Sequence, residues 1–141
     1  MRKLLFTMAG LLLKISLFAQ AGGDGPFRAY LYNNTYEVFL RINLYDSDVE
    51  VPGQELYGPL PGYLGKQHNS FCWVITDAKV KERTASLQMI NDYGSEDLTA
   101  TLICLNDSTY ELRQEHGSAL KVPKNGKWQK LPRKLELKRR K

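Results

Sequence analysis

The chain has 141 residues, of which 43% are hydrophobic and 25% charged, with 20 basic against 15 acidic side chains and a formal net charge of +5. That length amounts to one domain, able to bury about two thirds of its unfolded surface, which excludes dependence on a disulfide or a metal for folding. The charge is unevenly spread: residues 121–141 hold ten basic residues and one acidic, net +9, whereas residues 22–120 hold seven basic and fourteen acidic, net −7.

The first 21 residues stand apart from the fold. Arg2 and Lys3 form a basic head, residues 4–18 are mostly apolar, and Ala19-Gln20-Ala21 supplies small residues at a cleavage-like position. Lys14 interrupts the run, which is also shorter than the roughly 20 apolar residues of a permanent membrane helix. A cleaved signal peptide over residues 1–21 is expected, with cleavage after Ala19 or Ala21, and hence a chain exported to the periplasm, outer surface or exterior. An uncleaved anchor is the alternative. The ending Phe18-Ala19-Gln20 resembles export signals of Bacteroidetes-type bacteria.

Residues 22–26 read as a flexible lead, and the domain proper is expected over residues 27–138. Residues 27–32 and 35–45 predict a hairpin around Asn33-Asn34, because asparagine accepts positive φ. Tyr36, Val38, Leu40, Ile42 and Leu44 alternate with Glu37, Phe39, Arg41, Asn43 and Tyr45, so the second arm is long enough to project past a barrel. A short extended piece at residues 49–51 ends at Pro52-Gly53. Pro59 and Pro61 then make residues 56–65 an edge segment or a long loop. Residues 71–76, the most apolar run after the leader, predict a central strand, and residues 78–82 an arm leading onward.

Four strands joined by three turns are expected from residue 84 to residue 122. Leu87 and Met89, then Leu98, Ala100, Leu102 and Cys104, then Tyr110 and Leu112, then Leu120 and Val122 occupy one face of successive strands. The turns fall at residues 91–96, 106–108 and 116–118. Asn125-Gly126, Trp128, Pro132 and an alternating final strand around Leu135 and Leu137 follow. The fold expected is all-β, a single-domain antiparallel meander closed or nearly closed into an eight- to nine-stranded, lipocalin-like barrel. A two-sheet β-sandwich is second, and residues 139–141 are a basic tail. Cys72 and Cys104 fall on opposite faces by parity, which favours two packed free thiols over a bond.

Catalytic signatures are thin: there is no H-E-x-x-H, no G-x-S-x-G, no phosphate-binding glycine loop and no C-x-x-C. Alternate turns of a meander share an end, which gathers Asp92, Glu96, Asp97 and His116 with Tyr93 among them. That set reads as a weak cation site or an acidic rim for a basic partner, against the plainer reading of charged residues in an exposed turn. A hydrolase would require Asp92, Glu96 and His116 to share a cleft. Tyr57 and Tyr63 flank the loop 58–62 and, with Trp73, form the second candidate, a pocket roof or a flat platform at a barrel mouth. Lys138, Arg139, Arg140 and Lys141 form a third, a patch for anionic lipid or glycan, against the plainer reading of a solvated strand end. Basic-aromatic interleaving is missing elsewhere, so nucleic acid is not an expected partner.

From Asn91-Asp92-Tyr93-Gly94-Ser95-Glu96-Asp97-Leu98-Thr99 through Gly117-Ser118 to Lys127-Trp128-Gln129-Lys130-Leu131-Pro132, the chain resembles small secreted β-proteins of Bacteroidetes whose functions are not established. The resemblance implies a shared fold and export and brings no functional residues. The expectation is an exported, monomeric, non-enzymatic binding protein of the bacterial envelope without cofactor or metal. It recognises a partner protein or a small ligand through loops at one barrel end. A carrier of a small apolar ligand and an adhesion protein acting through the basic C-terminus are the alternatives.

Overall fold

The computed structural model describes residues 25–141, and the expected export segment, residues 1–21, lies outside the described residues. Among the described residues ten strands follow in order: β1 Arg28–Asn33, β2 Val38–Asn43, β3 Gly62–Lys66, β4 Cys72–Lys81, β5 Thr84–Asn91, β6 Asp97–Cys104, β7 Thr109–Gly117, β8 Lys121–Lys124, β9 Lys127–Lys130 and β10 Lys134–Arg139. Eight of them close an antiparallel barrel in the order β1-β10-β7-β6-β5-β4-β3-β2, and β8 and β9 form a separate hairpin. The closed eight-stranded barrel is the architecture expected from the alternating pattern, and closure removes both sheet edges.

Alternation sorts the side chains as a small barrel requires. Leu31, Leu40, Leu64, Trp73, Ile75, Met89, Leu98, Leu102, Tyr110, Leu112, Leu135 and Leu137 are buried in one continuous core. The outer side of β5, β6 and β7 carries Ser86, Gln88, Thr99, Thr101, Glu111 and Arg113, the reverse of the apolar-out order of a membrane-spanning barrel. No helix among the described residues is long and apolar enough to cross a membrane.

Several expectations need correction. Residues 120–122 do not extend the meander, since β7 pairs with β10 and β8 pairs with β9. Leu120 and Val122 are buried all the same, because the hairpin tucks them into the end of the barrel. Residues 62–66 are no edge: β3 is buried throughout and hydrogen-bonded to both β2 and β4. Pro59 and Pro61 sit just before it, where a missing N–H costs no ladder bond. β2 stops at Asn43 and does not project. The turn between β1 and β2 spans residues 34–37, and Glu37, not an asparagine, takes positive φ (56°). Asn33 works by side chain there, its Oδ1 accepting from the Tyr36 N–H at 3.0 Å.

Cys72–Lys81 form one strand, β4, rather than a strand and an arm. A register shift between Ile75 and Asp77 leaves Thr76 bulged and lets β4 continue along β5. Gly25 and Pro26 are not a loose lead: Gly25 O accepts from Arg28 N–H, and Pro26 O accepts from the Tyr110 hydroxyl. The basic tail is equally engaged. Arg139 belongs to β10, and the Arg140 N–H donates to Tyr30 O at 2.8 Å.

Candidate functional site

The hairpin β8–β9 owes its shape to Asn125 and Gly126, both at positive φ (52° and 77°), the pair a tight two-residue turn demands. It is fastened to the barrel by buried polar groups. The Gln114 side chain accepts from Leu120 N–H at 2.8 Å and donates to Pro132 O at 3.1 Å, stitching both ends of the insertion to β7. Trp73, fully buried, donates its indole N–H to Lys121 O at 2.8 Å. Leu120, Val122 and Leu131 plug the barrel beneath it.

A second segment wraps the outer wall. Asn43, buried, organises its start: its Nδ2 donates to Asp46 and Asp48, and its Oδ1 accepts from the Tyr45 and Asp46 N–H groups. Residues 44–61 then run as a strap held by a Val49–Leu60 bridge, with a 3-10 turn at Glu55–Tyr57. Val51 seals a satellite core of Tyr63, Cys72 and Val74 on the outer side of β3 and β4. The strap reaches the turn between β5 and β6, where the Gln54 amide donates to the carboxylate of Asp92.

Strap tip, β5–β6 turn and hairpin meet around one barrel end. Phe71 lies at its centre, 6.0 Å from the Tyr93 ring and 5.1 Å from the Trp128 ring. A cleft of about 310 Å³ is lined by Phe71, Asp92, Tyr93, Pro123, Lys127 and Trp128, with Asn69 and Ser70 at its lip. Large apolar side chains stay open to solvent on this rim. Tyr93 is 72% exposed and Trp128 50%, and on the strap tip Leu56 is wholly exposed and Tyr57 48%. Lys121 lies over the Trp128 ring at 5.7 Å and pairs with Glu96 at 3.2 Å.

The residues singled out from the sequence are thereby separated. The turns at 91–96 and 116–118 do share an end, as Ser118 N–H donates to Asp97 O at 2.8 Å. Asp92 and Tyr93 line the rim cleft, Glu96 is held by Lys121, and His116 lies on the outer wall in a groove with Thr99, Glu115 and Asp77. Asp92, Glu96 and His116 do not share a cleft, and no group of three His, Cys, Asp or Glu among the described residues is placed to hold a metal. Tyr57 is exposed on the strap, but Tyr63 lies beneath it and burial pushes its hydroxyl up from the ordinary value, Arg41 offsetting part of the effect. Trp73 belongs to the barrel core and is no platform. Lys138 pairs with Glu136 at 3.1 Å, while the Arg140 guanidinium lies over Tyr30 at 5.3 Å.

Cys72 and Cys104 are free and buried, Cys104 inside the barrel and Cys72 in the satellite core, as parity predicts. Burial, with the Asp92 charge second, pushes the Cys72 thiol up to about 12.

The sequence reading did not single out Leu56, Phe71 or Trp128 for this site. Trp128 carried a usable signal. It sits two residues past Asn125-Gly126 on a short hairpin strand between Lys127 and Gln129, with no apolar neighbour to share a buried face. No family model matches the chain, and no curated protein or solved structure is significantly similar to it.

Proposed function

We propose that this chain is an exported, non-enzymatic binding protein that recognises a partner protein through the rim formed by the strap tip, the β5–β6 turn and the β8–β9 hairpin. One observation carries the reading: Tyr93 and Trp128 stay largely exposed on either side of Phe71 at one barrel end, and Gln54 ties to Asp92 the strap on which Leu56 and Tyr57 are exposed. Solvent-exposed aromatic and aliphatic groups gathered on one rim, with charges beside them, are the composition of a docking patch. Lys127 and Asp92 flank the aromatic row and supply polar contacts at its border. The alternative of a carrier for a small apolar ligand is less well supported, because Trp73, Tyr110, Met89 and the core leucines fill the barrel interior.

Site-specific photocrosslinking tests this. With a photoreactive residue at Tyr93 or Leu56, one protein adduct of defined mass is expected from the producing cells, and none from the same residue at Ser86 on the polar outer wall. Equal adducts from all three positions, or none from the rim, contradict the proposal.

A further inference from the structure

The outer wall of β1 and β2 carries a feature the rim does not use. Tyr30 and Arg41 are cross-strand partners and therefore neighbours on one face. The Tyr30 ring is parallel to that of Phe39, 5.5 Å between centroids with 5° between planes. Phe39 in turn meets the edge of Tyr63 at 5.7 Å. Gly65 makes room for this arrangement, since a Cβ there would lie 2.4 Å from the Phe39 ring. The Arg140 guanidinium covers Tyr30 at 5.3 Å. Two arginines thus flank one tyrosine on a wall of aromatic plates. Among the described residues neither Arg41 nor Arg140 makes a salt bridge.

Open grooves lie on both sides of Tyr30. One, of about 300 Å³, is lined by Tyr30, Tyr32, Asn34, Gln67 and Arg140. The other, of about 730 Å³, continues past Tyr30 to Arg41 and ends at Asp48 and Glu50 on the strap. Tyrosine rings offer flat apolar surface to the C–H face of a sugar, side-chain amides match its hydroxyls, and guanidinium groups match a carboxylate in two-point contact. Asp48 and Glu50 repel an acid group from the larger groove, which favours seating it beside Arg140 in the smaller one. We infer that the smaller groove is a binding site for an acidic saccharide, its acid group held by Arg140 and its ring stacked on Tyr32. The site is separate from the rim.

Isothermal titration of the full domain with oligogalacturonate tests the inference, with neutral maltooligosaccharide and phosphatidylglycerol vesicles as the other arms. Saturable binding of oligogalacturonate, with none of the neutral sugar, is the expected result. Replacing the charged contact, Arg140→Gln, should weaken it about tenfold or more. The Arg140 side chain is exposed, so its variant keeps the fold. Tyr32→Leu should also weaken sugar binding, and Lys79→Gln, a cation on β4, should leave it unchanged. Absence of saturable binding overturns the inference, as does binding that Arg140→Gln and Lys79→Gln reduce equally. Tighter binding of the vesicles than of the sugar, indifferent to Tyr32→Leu, would assign the groove to a lipid surface instead and also overturn it.

Discussion

Trp73 and Trp128 lie on either side of the same phenylalanine, 6.5 Å and 5.1 Å from the Phe71 ring, yet the first is fully buried and the second half-exposed. The inner tryptophan is enclosed on the barrel side and its N–H is bound by the Lys121 carbonyl. The outer one rests on the rim with Lys121 above its ring. The same residue type is a structural member at one position and, at the other, an open side chain that we propose for recognition. What separates them is which strand carries them: β4 is hydrogen-bonded on both sides within the barrel, whereas β9 pairs with β8 alone. An inserted hairpin can offer an aromatic side chain to solvent because it is not obliged to bury both of its faces.

That contrast can be broken from the inside first. Trp73→Ala should destabilise the domain by about 3–5 kcal/mol, combining a large cavity with an unpaired Lys121 carbonyl, and equilibrium urea unfolding reads it. Next comes the fastening of the hairpin. Gln114→Leu strands the Leu120 N–H and should cost about 1–3 kcal/mol, with faster hydrogen exchange at Leu120 while the core strands β5 and β6 stay protected.

A smaller effect follows from the satellite core. The Cys72 thiol has an ordinary value of 9.0 and is held near 12 in the folded chain. An acid whose folded value is raised contributes stability that is intact below its unfolded value and is lost as pH climbs toward the folded one. Urea midpoints should therefore fall as pH rises from about 9 toward about 12, and Cys72→Ala should shallow that slope. Tyr110, also raised to about 12 chiefly by burial, adds to the same fall from about pH 10 upward. The smallest effect on folding belongs to the rim: Trp128→Ala should cost about 1 kcal/mol or less in stability. If instead it destabilised as much as Trp73→Ala, the distinction between the two tryptophans would collapse.

The barrel itself was legible because period-two alternation is local and each strand from β5 to β7 announces its inward face. The position of Cys72 opposite to Cys104 followed from the same parity. What escaped was long-range. Nothing local to Leu120 and Val122 distinguishes a barrel strand from a hairpin that caps the barrel, and both bury the same alternating pair. Residues 62–66 misled because Pro59 and Pro61 stand next to them, although a proline just outside a strand removes no ladder bond. The candidate site was half legible. Turn alternation brought residues 91–96 and 116–118 to one end, but side-chain direction then parted His116 from Asp92. Gln54 and Asp92 are 38 residues apart, and no local pattern signals that the strap tip reaches that turn.

Native mass spectrometry of the protein recovered from its producing cells tests the central claim most directly, comparing the unmodified chain with the double variant Tyr93→Ala/Trp128→Ala. The account predicts a complex with one partner protein that the double variant loses while remaining folded. A small apolar molecule retained equally by both forms would place recognition inside the barrel and contradict it.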